Sequence, residues 1–204
     1  MKLLLVSQRI DDIKKRNEIR DSLDQKLLEF IFQSGFLSIQ VPNFFFTKNF
    51  ERDKADKYFS NWLSRISPDG IILSGGNNLG EFIERDITEY NLLKFSQENR
   101  LPTLGICRGM QMMAKFSGTK LINVIGHVNT RHKLIGDIKM EVNSFHEKAL
   151  AECPSEYKII ARSKDNIIKA IKHKSLPWEG WMWHPEREIP FNPYDVKRLK
   201  SLFE

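Results

Sequence analysis

From Lys2 to Ile106 short apolar runs alternate with longer stretches of helical period, a pattern that predicts a parallel sheet with crossover helices. Lys2 to Val6, Leu37 to Val41, Gly70 to Leu73 and Pro102 to Ile106 read as strands. Between them, Leu23 to Gln33, Lys54 to Ile66 and Phe82 to Glu98 read as helices, and a further helix begins after Cys107. Beyond Ile122 the runs become short and alternating: Ile138 to Val142, Tyr157 to Ala161 and Ile167 to Ile171 predict antiparallel strands beside the main sheet. Tyr194 to Phe203 closes the pattern as a last helix. The expectation is an α/β fold, a mostly parallel sheet with flanking helices and a small antiparallel extension. With 204 residues and no repeat or linker, it should form one domain over residues 1–204.

Ligands on such sheets collect at the carboxyl ends of the strands. Three informative segments fall there: Ser7-Gln-Arg-Ile-Asp11, Ser74-Gly-Gly-Asn77 and Gly105-Ile-Cys-Arg-Gly109. In the last, Cys107 stands where an apolar run stops and an amphipathic one begins. A strand reversing sharply into a helix leaves no room for side chains two residues either side of the apex, which is where Gly105 and Gly109 lie. The apex side chain then sits at the positive end of the following helix, where a thiolate is favoured. Cys153, between Glu152 and Pro154, has nothing reactive around it and reads as packing.

A cysteine nucleophile is most effective beside a base. Of His127, His132, His146, His173 and His184, the last is best placed, in Trp181-Met-Trp-His-Pro-Glu186. The apolar run reads as a short buried strand, and the residue before a proline is extended. Residues two apart on an extended chain face one side, so His184 and Glu186 should project together. Gly75 and Gly76 admit two readings, a tight turn or a loop whose N–H groups, with the amide of Arg108, hold an oxyanion.

Composition sets the class. Hydrophobic residues make up 41% and charged residues 28%, as in soluble globular chains. No apolar stretch approaches the roughly 20 residues that span a bilayer, and the N-terminus reads as a first strand rather than a signal peptide. Two cysteines make no disulfide framework and suit a reducing compartment, so the expected location is the cytoplasm. There is no Cys-x-x-Cys or His-Glu-x-x-His, so no metal is expected. The net charge of +6 suits an anionic small molecule as well as nucleic acid.

These motifs together resemble the class I glutamine amidotransferase-like hydrolases, with a flavodoxin-like core and a Cys-His-Glu triad. Ser7-Gln-Arg-Ile-Asp11, Gly105-Ile-Cys-Arg-Gly-Met-Gln111, Val142-Asn-Ser-Phe-His146 and Trp183-His-Pro-Glu186 are similar to the γ-glutamyl hydrolase branch, typified by γ-glutamyl-γ-aminobutyrate hydrolases. The resemblance runs from residue 3 to about residue 188. It implies that Cys107 attacks a γ-carbonyl, His184 moves the proton and Glu186 orients the imidazole. It implies oxyanion-hole amides from Gly76 and Arg108, the former in the Gly75-Gly76 loop. Gln111 and Asn143-Ser144-Phe145 match positions that grip the glutamyl head. A small γ-glutamyl substrate, no cofactor, no nucleic acid and no membrane follow from it. The chain departs from the branch at Phe145-His146-Glu147, where two adjacent histidines are frequent, and in the short Asn77 to Glu84 segment; both bear on the leaving group.

Within the branch, the chain resembles the bacterial γ-glutamyl-CDP-amidate hydrolases of capsular phosphoramidate synthesis. Arg9, Arg131, His132 and Lys133 then have two readings, as contacts to a diphosphate or as solvated loop charge. Another role stays open for the same chemistry, a glutaminase subunit that supplies ammonia to a separate synthase.

Overall fold

A computed structural model describes residues 1–204. In chain order the strands and helices are β1 (Leu3–Ser7), β2 (Arg9–Ile13), β3 (Glu18–Ser22), α1 (Gln25–Gln33), β4 (Leu37–Val41), α2 (Arg52–Ile66), β5 (Gly70–Leu73) and α3 (Ile83–Asn99). There follow β6 (Thr103–Ile106), α4 (Arg108–Phe116), β7 (Leu121–Asn123), β8 (Val128–Gly136), β9 (Glu141–Phe145), β10 (Lys148–Leu150), β11 (Tyr157–Ser163), β12 (Ile168–His173), β13 (Trp178–Trp181) and α5 (Pro193–Phe203). No helix is long and apolar enough to cross a membrane.

Nine strands form one sheet in the order β4-β1-β5-β6-β13-β12-β11-β8-β9. The first five are mutually parallel, and from β12 onward neighbours are antiparallel. Burial follows this division. Every residue of β5, β6 and β13 is buried, as expected of strands covered on both faces, whereas β8 is largely exposed. The α/β, mostly parallel, flavodoxin-like expectation holds, and the antiparallel part is larger than a small extension.

Three local expectations are corrected. Ser7 to Asp11 is not a loop: Ser7 ends β1, and β2 pairs with β3 in a separate hairpin. Its residues are mostly charged, so no apolar run announces it. The strand expected at Ile138 to Val142 is instead β9, which moves Asn143, Ser144 and Phe145 onto a strand paired with β8. The run before His184 ends as a strand at Trp181, and Pro185–Arg187 form a single 3-10 turn.

Candidate active site

The turn from β6 to α4 is as tight as its glycines require. A Cβ on Gly105 would lie 2.6 Å from the Gly109 carbonyl carbon and the Met110 nitrogen. One on Gly109 would collide with the Leu73 carbonyl of β5. Cys107 takes φ +51° and ψ −101°, a conformation that L-residues adopt only when the surroundings impose it. Its N–H donates to the Trp181 carbonyl at 2.7 Å, which ties the apex to β13, the strand leading to His184.

His184 and Glu186 are both buried, and the imidazole Nδ1 lies 2.6 Å from Glu186 Oε1. Burial alone pushes the imidazole pKa down. The Cys107 sulfur and the hydrogen-bonded Glu186 carboxylate outweigh it and raise the pKa to about 9, because both favour the charged ring. The pairing expected for an extended segment is therefore formed across a 3-10 turn. Glu186 Oε2 is buried with no partner.

Asn143 does not face the cleft as a substrate grip. Its Oδ1 accepts from the His184 N–H at 2.9 Å, and its Nδ2 donates to the His184 carbonyl and to Glu188 Oε1, each at 2.8 Å. The side chain is spent on fixing the His184 backbone. Ser144 is likewise withdrawn, fully buried and hydrogen-bonded to Lys169.

Gly75 and Gly76 are held close. A Cβ on Gly75 would lie 2.5 Å from His184 Cε1, and one on Gly76, where φ is +106°, would lie 3.0 Å from Arg9 Cβ. Behind the loop, Arg85 is fully buried and donates to the Ser74 carbonyl (2.9 Å), the Gly75 carbonyl (2.8 Å), Asn77 Oδ1 (3.2 Å) and Glu89 Oε1 (3.0 Å). Burial, opposed mainly by Glu89, lowers its pKa to about 10. The Arg108 side chain turns inward to Glu89 and to Asp86 Oδ1. The sequence reading missed Arg85, Asp86 and Glu89; their signal is a set of charges at helical spacing on the face that also carries Leu92 and Leu93.

A cleft of about 340 Å³ opens over Cys107. Gly76, Arg108, Gln111, Phe145 and His184 line it, whereas Asn143 and Ser144 do not. The Gln111 amide donates to the Lys148 carbonyl at 2.9 Å, which leaves its oxygen as the available group. Of the four cations considered for a diphosphate, Arg9 alone lines the cleft, its Nε donating to Asp11 Oδ1 at 2.8 Å and its terminal nitrogens left for a ligand. Arg131 is bound to Glu141 (2.9 Å) and Glu188 (3.0 Å), His132 stacks on His127 with ring centroids 4.3 Å apart, and Lys133 is exposed outside the cleft. Lys148 and Arg187, which the sequence did not single out, do line it; Arg187 lies over the Phe145 ring, 4.4 Å from its centroid. Arg9, Gly76, His184 and Arg187 also share an adjoining cavity, so they cluster at one side of the cleft.

The chain matches the family model for class I glutamine amidotransferases over residues 31–193. It is 34% identical to the γ-glutamyl-CDP-amidate hydrolase of Campylobacter jejuni, over 65% of this chain and 68% of that one. It is 33% identical to anthranilate synthase component 2 of Thermococcus kodakarensis, over 61% of this chain and 68% of the relative. In three dimensions it superposes on a crystal structure from Thermoplasma acidophilum ascribed to one subunit of a GMP synthase, with a TM-score of 0.72 at 19% identity, covering 100% of this chain and 93% of that one. The elbow, the buried His184 and the match over most of the length converge: the chain belongs to the class I glutamine amidotransferase family, whose members hydrolyse glutamine amide bonds.

Proposed function

We propose that this protein is a γ-glutamyl hydrolase that uses Cys107 as nucleophile, His184 as base and acid, and Glu186 as the group that orients His184. The observation that carries the reading is the strained Cys107 apex, which lines one cleft with a buried His184 whose Nδ1 is held by Glu186. The thiol proton resides on His184 as a thiolate–imidazolium pair forms, the charged ring that its raised pKa favours, and the sulfur attacks the γ-carbonyl. The oxyanion that forms is met by the amides of Gly76 and Arg108, each such donor being worth roughly 10² to 10³ in rate. His184 then protonates the leaving amine, the C–N bond breaks, and a γ-glutamyl thioester remains on Cys107. Water, deprotonated by His184, releases glutamate and restores the thiol.

The leaving group is read from charge. An amine that His184 protonates must depart beside His184, where Arg9 and Arg187 also stand. Two guanidinium groups there suit a phosphate-bearing amine, and the 34% identity to the Campylobacter jejuni enzyme supports a γ-glutamyl-CDP-amidate as substrate. A free nucleophilic thiol suits the cytoplasm. A second reading, a glutaminase subunit that feeds a synthase, draws on the anthranilate synthase relative. Assay of the purified protein alone against glutamine, γ-glutamyl-γ-aminobutyrate and a γ-glutamyl phosphoramidate separates them. Preference for the phosphoramidate is the expected result. Activity on glutamine that appears only with an added synthase would replace the hydrolase reading.

A further inference from the structure

Behind His146 lies a charge that this chemistry does not use. Lys169, on β12, is 1% exposed, and its ammonium touches no carboxylate. Its three donors go to Ser144 Oγ (2.9 Å), His127 Nδ1 (2.9 Å) and His146 Nε2 (2.8 Å). The remaining ring nitrogens fix the tautomers. His146 Nδ1 donates to the Lys148 carbonyl at 3.0 Å, so its Nε2 is an acceptor. His127 Nε2 faces Asp165 Oδ2 at 2.8 Å, so its Nδ1 is an acceptor too. Burial lowers the Lys169 pKa to about 8 and holds both imidazoles below their ordinary value, so at neutral pH the rings are neutral and the positive charge resides on Lys169. In agreement, burial and then Lys169 push the His146 pKa down to about 3.

Such a group is expensive to bury, and a neutral side chain among the same atoms would not carry that cost. The counter-charge, Asp165, sits on the far side of His127, and its side chain is 51% exposed. Water therefore screens the carboxylate more than it screens the ammonium, and the buried surroundings are left net positive. The hydrogen bonds run on to the cleft, because the Lys148 carbonyl that accepts from His146 also accepts from Gln111 at 2.9 Å. His146, Gln111 and Lys148 all line the cleft, as does the exposed Glu147, whose carboxylate water screens.

The direction of the reaction says what meets this wall. The leaving amine must lie beside His184, with Arg9 and Arg187. The acyl part then extends across Cys107 toward Gln111, His146 and Lys148. Resting on the γ-glutamyl hydrolase reading, we propose that Lys169 is a specificity-determining, positioning residue. Through His146, its buried ammonium fixes the acyl-side wall and makes it select acyl groups that carry a carboxylate.

The test uses two substrates, γ-glutamyl p-nitroanilide and its analogue with the α-carboxylate converted to a carboxamide. The wild-type protein should prefer the carboxylate. Lys169→Met should lower kcat/KM for the carboxylate substrate about tenfold, chiefly through KM, and for the carboxamide less than about threefold. Lys169→Arg should restore part of the discrimination. Equal losses on both substrates, or a loss confined to kcat, would overturn the proposal. Should neither variant fold, nitrogen-15 NMR of the wild-type protein decides at neutral pH. Lys169 must appear as an ammonium and His146 as the neutral Nδ1–H tautomer; a neutral Lys169 or a charged His146 would overturn it. A wild-type protein that turns over neither substrate counts instead against the hydrolase reading, while turnover without discrimination counts against Lys169 alone.

Discussion

Behind the Gly75-Gly76 wall two guanidinium groups, Arg85 and Arg108, meet two carboxylates, Asp86 and Glu89. Behind the opposite wall one ammonium, Lys169, meets three neutral acceptors. The buried charges of the first network pair directly, with the exposed Lys115 outside them at 3.8 Å from Asp86, so their field falls off quickly and what remains is geometry: it fixes the loop backbone through the Ser74 and Gly75 carbonyls. The second is unbalanced, so it projects a field as well as holding a strand. The difference suggests that one wall needs only placement, for amides that meet an oxyanion, while the other must also attract.

The largest effect should come from between the walls. Cys107→Ser disturbs neither network, yet turnover should fall roughly 10⁴-fold or more with the melting temperature nearly unchanged. Retained turnover in the purified variant would remove the nucleophile assignment. Next is the paired network. Glu89→Gln leaves two buried guanidinium groups short of charge and should cost about 3 to 5 kcal/mol in urea denaturation. Lys169→Met deletes a charge rather than stranding one, and should cost only about 1 to 3 kcal/mol through its unpaired acceptors. Equal costs would erase the contrast between the two walls.

Glu186→Gln should slow turnover about a hundredfold, and its sign in pH is set. Glu186 and Cys107 both favour the charged ring and hold His184 at about 9. Without the carboxylate that pKa falls, so the alkaline limb of the rate profile should move to lower pH. A profile that stays in place would speak against the pair. The smallest effect belongs to Arg187→Ala, about a tenfold loss of kcat/KM for a phosphate-bearing leaving group and little change for a p-nitroanilide. Losses of equal size on both would assign Arg187 to Phe145 packing instead.

The parallel half was legible because strands buried on both faces are near-continuous apolar runs, as β5 and β6 are, whereas β13 carries the buried Glu179 and the sequence marked only its end at Trp181. The elbow was legible because its glycines answer a local steric demand. The β2–β3 hairpin was not, since Asp11, Asp12, Lys14, Lys15 and Arg16 look like any solvated loop. Asn143 was misplaced for a different reason: an asparagine that clamps a backbone and one that binds a ligand have the same letter, and only the His184 contacts tell them apart. Lys169 was invisible because a lysine reads as surface, and its partners come from β9, from the loop before β8 and from the residue after β9. Interactions between segments distant in sequence leave no periodic mark.

The Cys107 amide and the Trp181 carbonyl join two adjacent parallel strands, with Gly105 opposite Gly180 and Ile106 opposite Trp181. The nucleophile and base of the proposed mechanism are thus supplied by neighbours in space whose order of synthesis is far apart. While the chain emerges, the β6–α4 turn exists for a long interval with its thiol but without an imidazole to activate it. Only when β13 inserts between β6 and β12, in the one register that sets those pairs, does the cysteine acquire a proton acceptor. On the proposed mechanism, completion of the sheet and arming of the thiol are one event, so an incompletely folded chain carries a cysteine without its base.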